Sequence, residues 1–146
     1  MMPLSIRCYH QTQQIFPDTQ FFILSKGNSA GKPAHQPWVN SFIATANNKE
    51  MREFYYWLTY GLHKAQAFKI VQRGSVIPFV NIGETRDIIQ PAANIIYPHW
   101  QQFKIILQQL ELLEQRKNNL AEILKSTATI QEYLIRSYFI QHGVKS

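Results

Sequence analysis

The residues able to do chemistry are few and dispersed. The five histidines, His10, His35, His63, His99 and His142, include no two at a spacing of three or four, so no helix face or tight turn gathers a pair onto a metal. Glu50 and Glu53 share one helical turn, where the positive end of a helix dipole accounts for them better than acid–base catalysis. Glu84 and Asp87 flank Arg86, the makings of a surface ion pair. The segment Gly27-Asn28-Ser29-Ala30-Gly31-Lys32-Pro33 resembles a phosphate loop only superficially. Three residues rather than four separate its glycines, and proline follows the lysine where Ser or Thr must open a helix. H-E-x-x-H, G-x-S-x-G and G-x-G-x-x-G are absent. The expectation is therefore a binding or recognition module, not an enzyme, using no cofactor and no metal. Cys8 is the single cysteine, which excludes an intramolecular disulfide and reads as an inert thiol of a cytoplasmic protein.

What the chain does have is positive charge, unevenly placed. Of the net +6, the stretch ending at Arg73 carries +5, eight Lys and Arg against Asp18, Glu50 and Glu53. A pI near 9.6 suits a polyanionic partner, since phosphate neutralisation supplies most non-specific nucleic-acid affinity; the same charge would equally keep a basic protein soluble. Two polar loops hold candidate contacts. Lys26, Asn28, Lys32 and His35 lie on the first, and Gln72, Arg73 and Ser75 on the second, together offering the donors that phosphates and base edges accept.

The elements that must position these loops are those of one α+β domain spanning 1–146, a β-rich body over 1–97 and a long helical segment over 98–140. A chain of 146 residues buries roughly two-thirds of its unfolded surface in one core. Gln20 to Leu24 and Trp38 to Thr45 are apolar or alternating runs bounded by turn formers, the signature of strands. Between them Ser25 to Pro37 is turn-forming. A helix is expected from an Asn47 or Asn48 cap, with Met51, Phe54, Tyr55, Leu58 and Leu62 on its inner face and Arg52, Glu53, Thr59 and Lys64 toward water. Gly61 is either a weak point in that helix or its end. Ala67–Gln72, Val76–Ile82 and Arg86–Gln90 read as three more strands, the middle one made an edge, a bulge or a non-ladder segment by Pro78. Pro91 to Pro98 reads as a connector. The whole is expected to be a small curved, mostly antiparallel sheet with one packed helix, followed by a long C-terminal helix.

From about Pro98 to Ile140 there is no glycine or proline, and Phe103, Ile106, Leu110, Leu113, Leu120, Leu124 and Leu134 follow a near-heptad repeat. Lys117, Thr127 and Gln131 interrupt it. Unbroken, such a helix is about 60 Å long, so it must fold back near Ser126 to Thr129 or pair with another helix. Pairing is expected, because the seam survives across Gln115 to Asn119. Phe103, Ile106, Leu110, Leu113, Leu120 and Leu124 are then the interface with a second copy or another partner helix. The N-terminus lacks a signal-peptide apolar run, and no stretch of about 18 apolar residues could span a membrane.

One resemblance follows from these features. Glu53-Phe54-Tyr55-Tyr56-Trp57-Leu58, then Gly74-Ser75-Val76-Ile77-Pro78 through Ile89, then the Gln90-Pro91 to Pro98 connector and a long helix, resembles a single target-recognition half of a type I restriction-modification specificity subunit. That resemblance implies double-stranded DNA as partner. Ser25-Lys26-Gly27 to Lys32-Pro33, with Pro37, Asn40-Ser41-Phe42 and Gly74 to Pro78, is also similar to a family of short uncharacterised proteins from Bacteroides-type bacteria, which implies no activity. The alternative is a protein–protein adaptor acting through the C-terminal helix, its basic charge incidental.

Overall fold

The computed structural model describes residues 3–145 and divides into two compact units, Met1–Phe103 and Lys104–Ser146. The first rests on a four-stranded antiparallel sheet of β1 (Ser5–Cys8), β2 (Gln20–Leu24), β3 (Pro33–Ala34) and β4 (Ser41–Thr45), in the order β1-β4-β2-β3. In the central pair Phe22 lies opposite Ile43, and Phe21, Phe22 and Ile23 are fully buried. Their unbroken apolar run fits a strand covered on both faces. Phe21 meets Tyr56 edge-on at 5.7 Å between ring centroids, while Phe22, pointing the other way, meets Tyr9 at 5.2 Å. The edge strand β1 is half covered and alternates, with Ile6 buried between exposed Ser5 and Arg7. Neither β1 nor the two-residue β3 was expected from the sequence, because one is mostly polar and the other sits in a loop of turn formers. Of the run expected from Trp38, only Ser41 onward pairs.

Helix α1 (Lys49–Lys64) is capped by Asn48, whose side-chain oxygen accepts from the Met51 N–H at 2.9 Å. Phe54, Tyr55 and Leu58 are buried as their spacing requires. Thr59, expected at the surface, is fully buried too, and its hydroxyl donates to the Tyr55 carbonyl at 2.7 Å, so no polar atom is stranded. Gly61 is inside the helix. A Cβ there would stand 3.1 Å from Phe103, so the missing side chain is what lets that ring close on α1. Phe54 contacts Tyr97 and Trp100, each at 5.1 Å.

Three expected strands are not formed. Ala67–Gln72 is a 3₁₀ turn over Ala67–Val71, because Gln66 reverses the chain in the left-handed region (φ 61°) directly after α1 and Phe68 tucks beneath Gly31. Of Val76–Ile82, residues 76–81 are a loop in which Val76 and Ile77 are exposed and only Phe79 forms bridges, and Ile82 opens a helix; Pro78 supplies no donor. Arg86–Gln90 lies within helix α2 (Ile82–Ile96), which also absorbs most of the expected Pro91–Pro98 connector. Asn81 caps α2 by accepting from the Glu84 N–H at 2.8 Å, and its amide donates back to the Glu84 carboxylate at 2.9 Å. Thr85, Ile89 and Ala93, four apart, form the buried stripe. Pro91 is tolerated inside it at the loss of one backbone bond. Glu84 does not pair with Arg86, which donates instead to the Ile6 carbonyl at 3.4 Å.

A 3₁₀ turn (Tyr97–His99) leads into α3, Trp100–Gln141, a helix of 42 residues with no break at Ser126 to Thr129. There the hydroxyls of Thr127 and Thr129 donate to the carbonyls of Ile123 and Lys125, at 2.8 and 3.1 Å, inside the helical ladder. The molecule is thus α+β, an antiparallel sheet with shorter helices and a long C-terminal helix. Among the described residues no helix is long and apolar enough to cross a membrane.

Gly31 combines a φ of +94° with a site where a Cβ would stand 2.4 Å from the Phe68 ring. Gly31→Ala is expected to lower unfolding free energy by about 3 kcal/mol, from backbone strain and overpacking together. Urea denaturation checks this; an unchanged midpoint would mean that Phe68 is not held there.

Candidate nucleic-acid interface

The two loops singled out in the sequence meet at Phe79. Its N–H donates to the Arg73 carbonyl and its carbonyl accepts from the Arg73 N–H, both at 2.9 Å, and it also bridges to Lys26. Gly27 N–H donates to the Pro78 carbonyl at 2.7 Å and Val80 N–H to Ser25 at 3.0 Å, so the Lys26 segment is bonded to the far side of the same stretch. Lys26, Asn28, Arg73 and Ser75 are exposed here, and Gln72 is half-buried. The turn between Arg73 and Phe79 needs Gly74 at φ +88°, since a Cβ would stand 2.5 Å from the Ile77 carbonyl.

A third segment joins them. The 3₁₀ turn after α1 carries Lys69, whose Nζ lies 3.5 Å from the Asn28 carbonyl. At the end of α1, burial first and then the charges of Lys32, Lys64 and Lys69 hold His63 below the usual imidazole range. Loop, helix end and turn thus each place a lysine, Lys32, Lys64 and Lys69, within electrostatic reach of His63. Of these, sequence reasoning named only Lys32 as a contact. Lys64 looked like a solvated helix residue and Lys69 like part of a strand; no spacing signal links them, because the turn at Gln66 creates their proximity.

Two expected contacts serve other ends. Arg73 is ion-paired with Glu84, and that bond holds the Glu84 carboxyl below its usual range, so the guanidinium charge is largely answered within the chain. His35 is stacked on Tyr56 at 4.2 Å and 12°, and its Nδ1 accepts from Arg52 Nη2 at 2.9 Å. Burial, then the Arg52 charge, lowers its pKa. His35 therefore belongs to the contact between α1 and the sheet, where Arg52 Nε also donates to the Gln20 carbonyl at 2.9 Å. Beside the cations the loops expose apolar side chains, Ile70 and Val76 almost fully and Ile77 by more than half.

Among the described residues no group of three or more His, Cys, Asp or Glu could hold a metal ion. In α3, Ile106, Leu113, Leu120 and Leu124 are exposed by half or more, whereas Leu110 is half-buried. Phe103, expected at a partner interface, is instead packed on Trp100 and against Gly61, because the glycine opens α1 to it.

A family model described as a family of unknown function (DUF6943) matches residues 6–137. The chain belongs to that family. No curated protein and no solved structure matches it. The similarity to a type I specificity subunit has no counterpart in these comparisons, and of the segments that carried it the Ile77-Pro78 stretch is a loop and the Pro91–Pro98 connector lies chiefly in α2.

His35 and His63 both have lowered pKa values, so below the ordinary histidine range the unfolded chain binds more protons than the folded one. Stability should be flat above about pH 7 and fall as pH drops through that range. Thermal melts from pH 8 to 5.5 check the sign, and His63→Gln should flatten part of the slope.

Proposed function

We propose that the protein is a non-catalytic binding module whose loop face takes a polyanion, double-stranded DNA being the partner argued for. The observation that supports this reading is the gathering of Lys32, Lys64 and Lys69 about His63, beside the segment where the Lys26 and Arg73 loops are bonded together. Flexible lysines on three different elements suit phosphates better than base edges, so the expected binding is governed by backbone contacts and weakly dependent on sequence. Three neutralised phosphates imply a loss of affinity of roughly forty-fold between 50 and 200 mM salt. Fluorescence anisotropy with a labelled duplex tests this, and Lys32→Glu combined with Lys69→Glu should reduce both the affinity and the salt slope. Absence of duplex binding at low salt removes the proposal.

A second reading, a protein-docking module acting through α3, is favoured by a separate observation. Apart from Leu107 and Leu110, the large apolar side chains from Ile105 to Ile140 are 43% to 72% exposed. Monomeric proteins rarely leave contiguous apolar patches larger than a few hundred Å². Leu113→Asp with Leu120→Asp should abolish α3-mediated association, read by light scattering, while duplex affinity changes less than about twofold if the two surfaces act separately. Loss of both together would contradict that division.

A further inference from the structure

The second reading leaves the occupant of the α3 face open, and the apolar layers of α3 are self-complementary in one antiparallel register. We propose that α3 pairs with α3 of a second copy, antiparallel, with Lys117 of each chain at the level of Thr127 of the other. This inference rests on the docking reading and adds the partner, the direction and the register.

Taking 103, 110, 117, 124, 131 and 138 as one seam column and 106, 113, 120, 127 and 134 as the other reproduces the heptad spacing of a helix pair. Lys117 falls in the first column. Its Nζ is 4.0 Å from Glu114 on its own helix and its side chain is largely exposed. In a parallel, in-register pair the two Lys117 residues would face each other across the seam, two ammonium groups brought together as apolar neighbours shed water. An antiparallel pair sets each column against the other and separates them.

Among antiparallel registers the apolar residues favour one. With Lys117 level with Thr127, Leu120 faces Leu124, Leu110 faces Leu134 and Ile106 faces Tyr138, each layer occurring twice by symmetry. Moving one heptad in either direction leaves a single such pairing, Leu113 with Leu124 or Leu113 with Tyr138, because Phe103 is already used within its own unit. The Lys117 layer is also the one best able to hold a charge. The Thr127 hydroxyl is bonded to Ile123 of its own helix, so it demands no partner across the seam, and the lysine stem can run over its methyl group while the ammonium reaches water. Gln131 opposite Leu113 is the one mismatched layer, and a long neutral side chain there can turn outward. The two-fold axis passes level with residue 122, which sets Ala121 level with Ile123 of the second copy.

Cysteine pairing in the full chain tests direction and register together. Because Cys8 is exposed, the background is Cys8→Ser, and Lys117→Cys and Thr127→Cys are made separately at positions where neither change removes an apolar layer. Under mild oxidation each variant alone should give little dimeric adduct, and an equimolar mixture should give the 117–127 adduct in several-fold excess over either self-adduct. Strong self-adducts of Lys117→Cys mean a parallel pair and overturn the direction. A dimer that gives none of these adducts overturns the register. A chain that is monomeric by light scattering at high micromolar concentration overturns self-pairing and leaves only a docking role with a different protein. A dimer that persists in Leu120→Asp with Leu134→Asp, with unchanged circular dichroism, places self-association elsewhere and overturns pairing through α3, whereas the docking reading itself falls only if the Leu113→Asp, Leu120→Asp variant keeps its α3-mediated association.

Discussion

The first unit depends on one close approach, the Phe68 ring lying where a side chain on residue 31 would have to be. The contact joins two stretches far apart in sequence. The loop that leaves β2 is tied to the sheet by hydrogen bonds from Gly31 N–H to Leu24 and from Leu24 N–H to Lys32, at 2.8 and 2.9 Å. The turn that follows α1 sends Phe68 into that loop. Because Phe68 is buried, the chain on either side of it is fixed, and with it the separation of Lys32 from Lys69. The charged surface is thus a by-product of an apolar contact. The charges of Lys32, Lys64 and Lys69 about His63 are unfavourable to one another, and packing of this kind is what supplies the opposing free energy.

What the sequence disclosed depended on whether a segment's pattern was made by its own environment or by a distant one. Phe21-Phe22-Ile23 is apolar because it is covered on both faces, and its run identified a strand without further information. The Asn cap and the three-and-four spacing of Phe54, Tyr55 and Leu58 marked α1 for the same local reason. Between residues 67 and 90 the local signals pointed the wrong way. Ile70-Val71 and Val76-Ile77-Pro78-Phe79-Val80 have the β-branched and aromatic content of strands, yet Ile70, Val76 and Ile77 are largely exposed, so no buried face selected them. Ile88-Ile89 misled in a different manner, since its strand-like pair masked the four-residue spacing of Thr85, Ile89 and Ala93 behind an Asn cap. The candidate site inherits both outcomes. Its loops were visible as Gly-, Pro- and Lys-containing turns, but their meeting at Phe79 is a long-range fact, and so is the diversion of His35 to Tyr56 and of Arg73 to Glu84.

The two surfaces differ in how firmly the structure constrains what they meet. Long-stemmed lysines on the loop face can adjust to many anions, and neutralised phosphates release counterions whatever the base sequence. Specificity is therefore not the property that such a face supplies. The neighbouring exposed Ile70, Val76 and Ile77 add contact area that a phosphate backbone does not use.

The seam of α3 is more demanding, because apolar layers and a single lysine must all find suitable opposites in one register. A charge inside an apolar stripe weakens every arrangement, but it weakens the parallel one most, and a helix that must avoid its own Lys117 is restricted in how it meets itself. Thr127 has the complementary role, a residue small enough to lie beside a lysine stem and already hydrogen-bonded within its helix. The interruptions at 117, 127 and 131 lower the stability available from a continuous leucine seam while narrowing the set of partners and directions. Ten residues separate Lys117 from Thr127, which is the spacing that lets a two-fold axis near residue 122 exchange them, and a protein selected only for helix stability would have no reason to keep polar side chains at both.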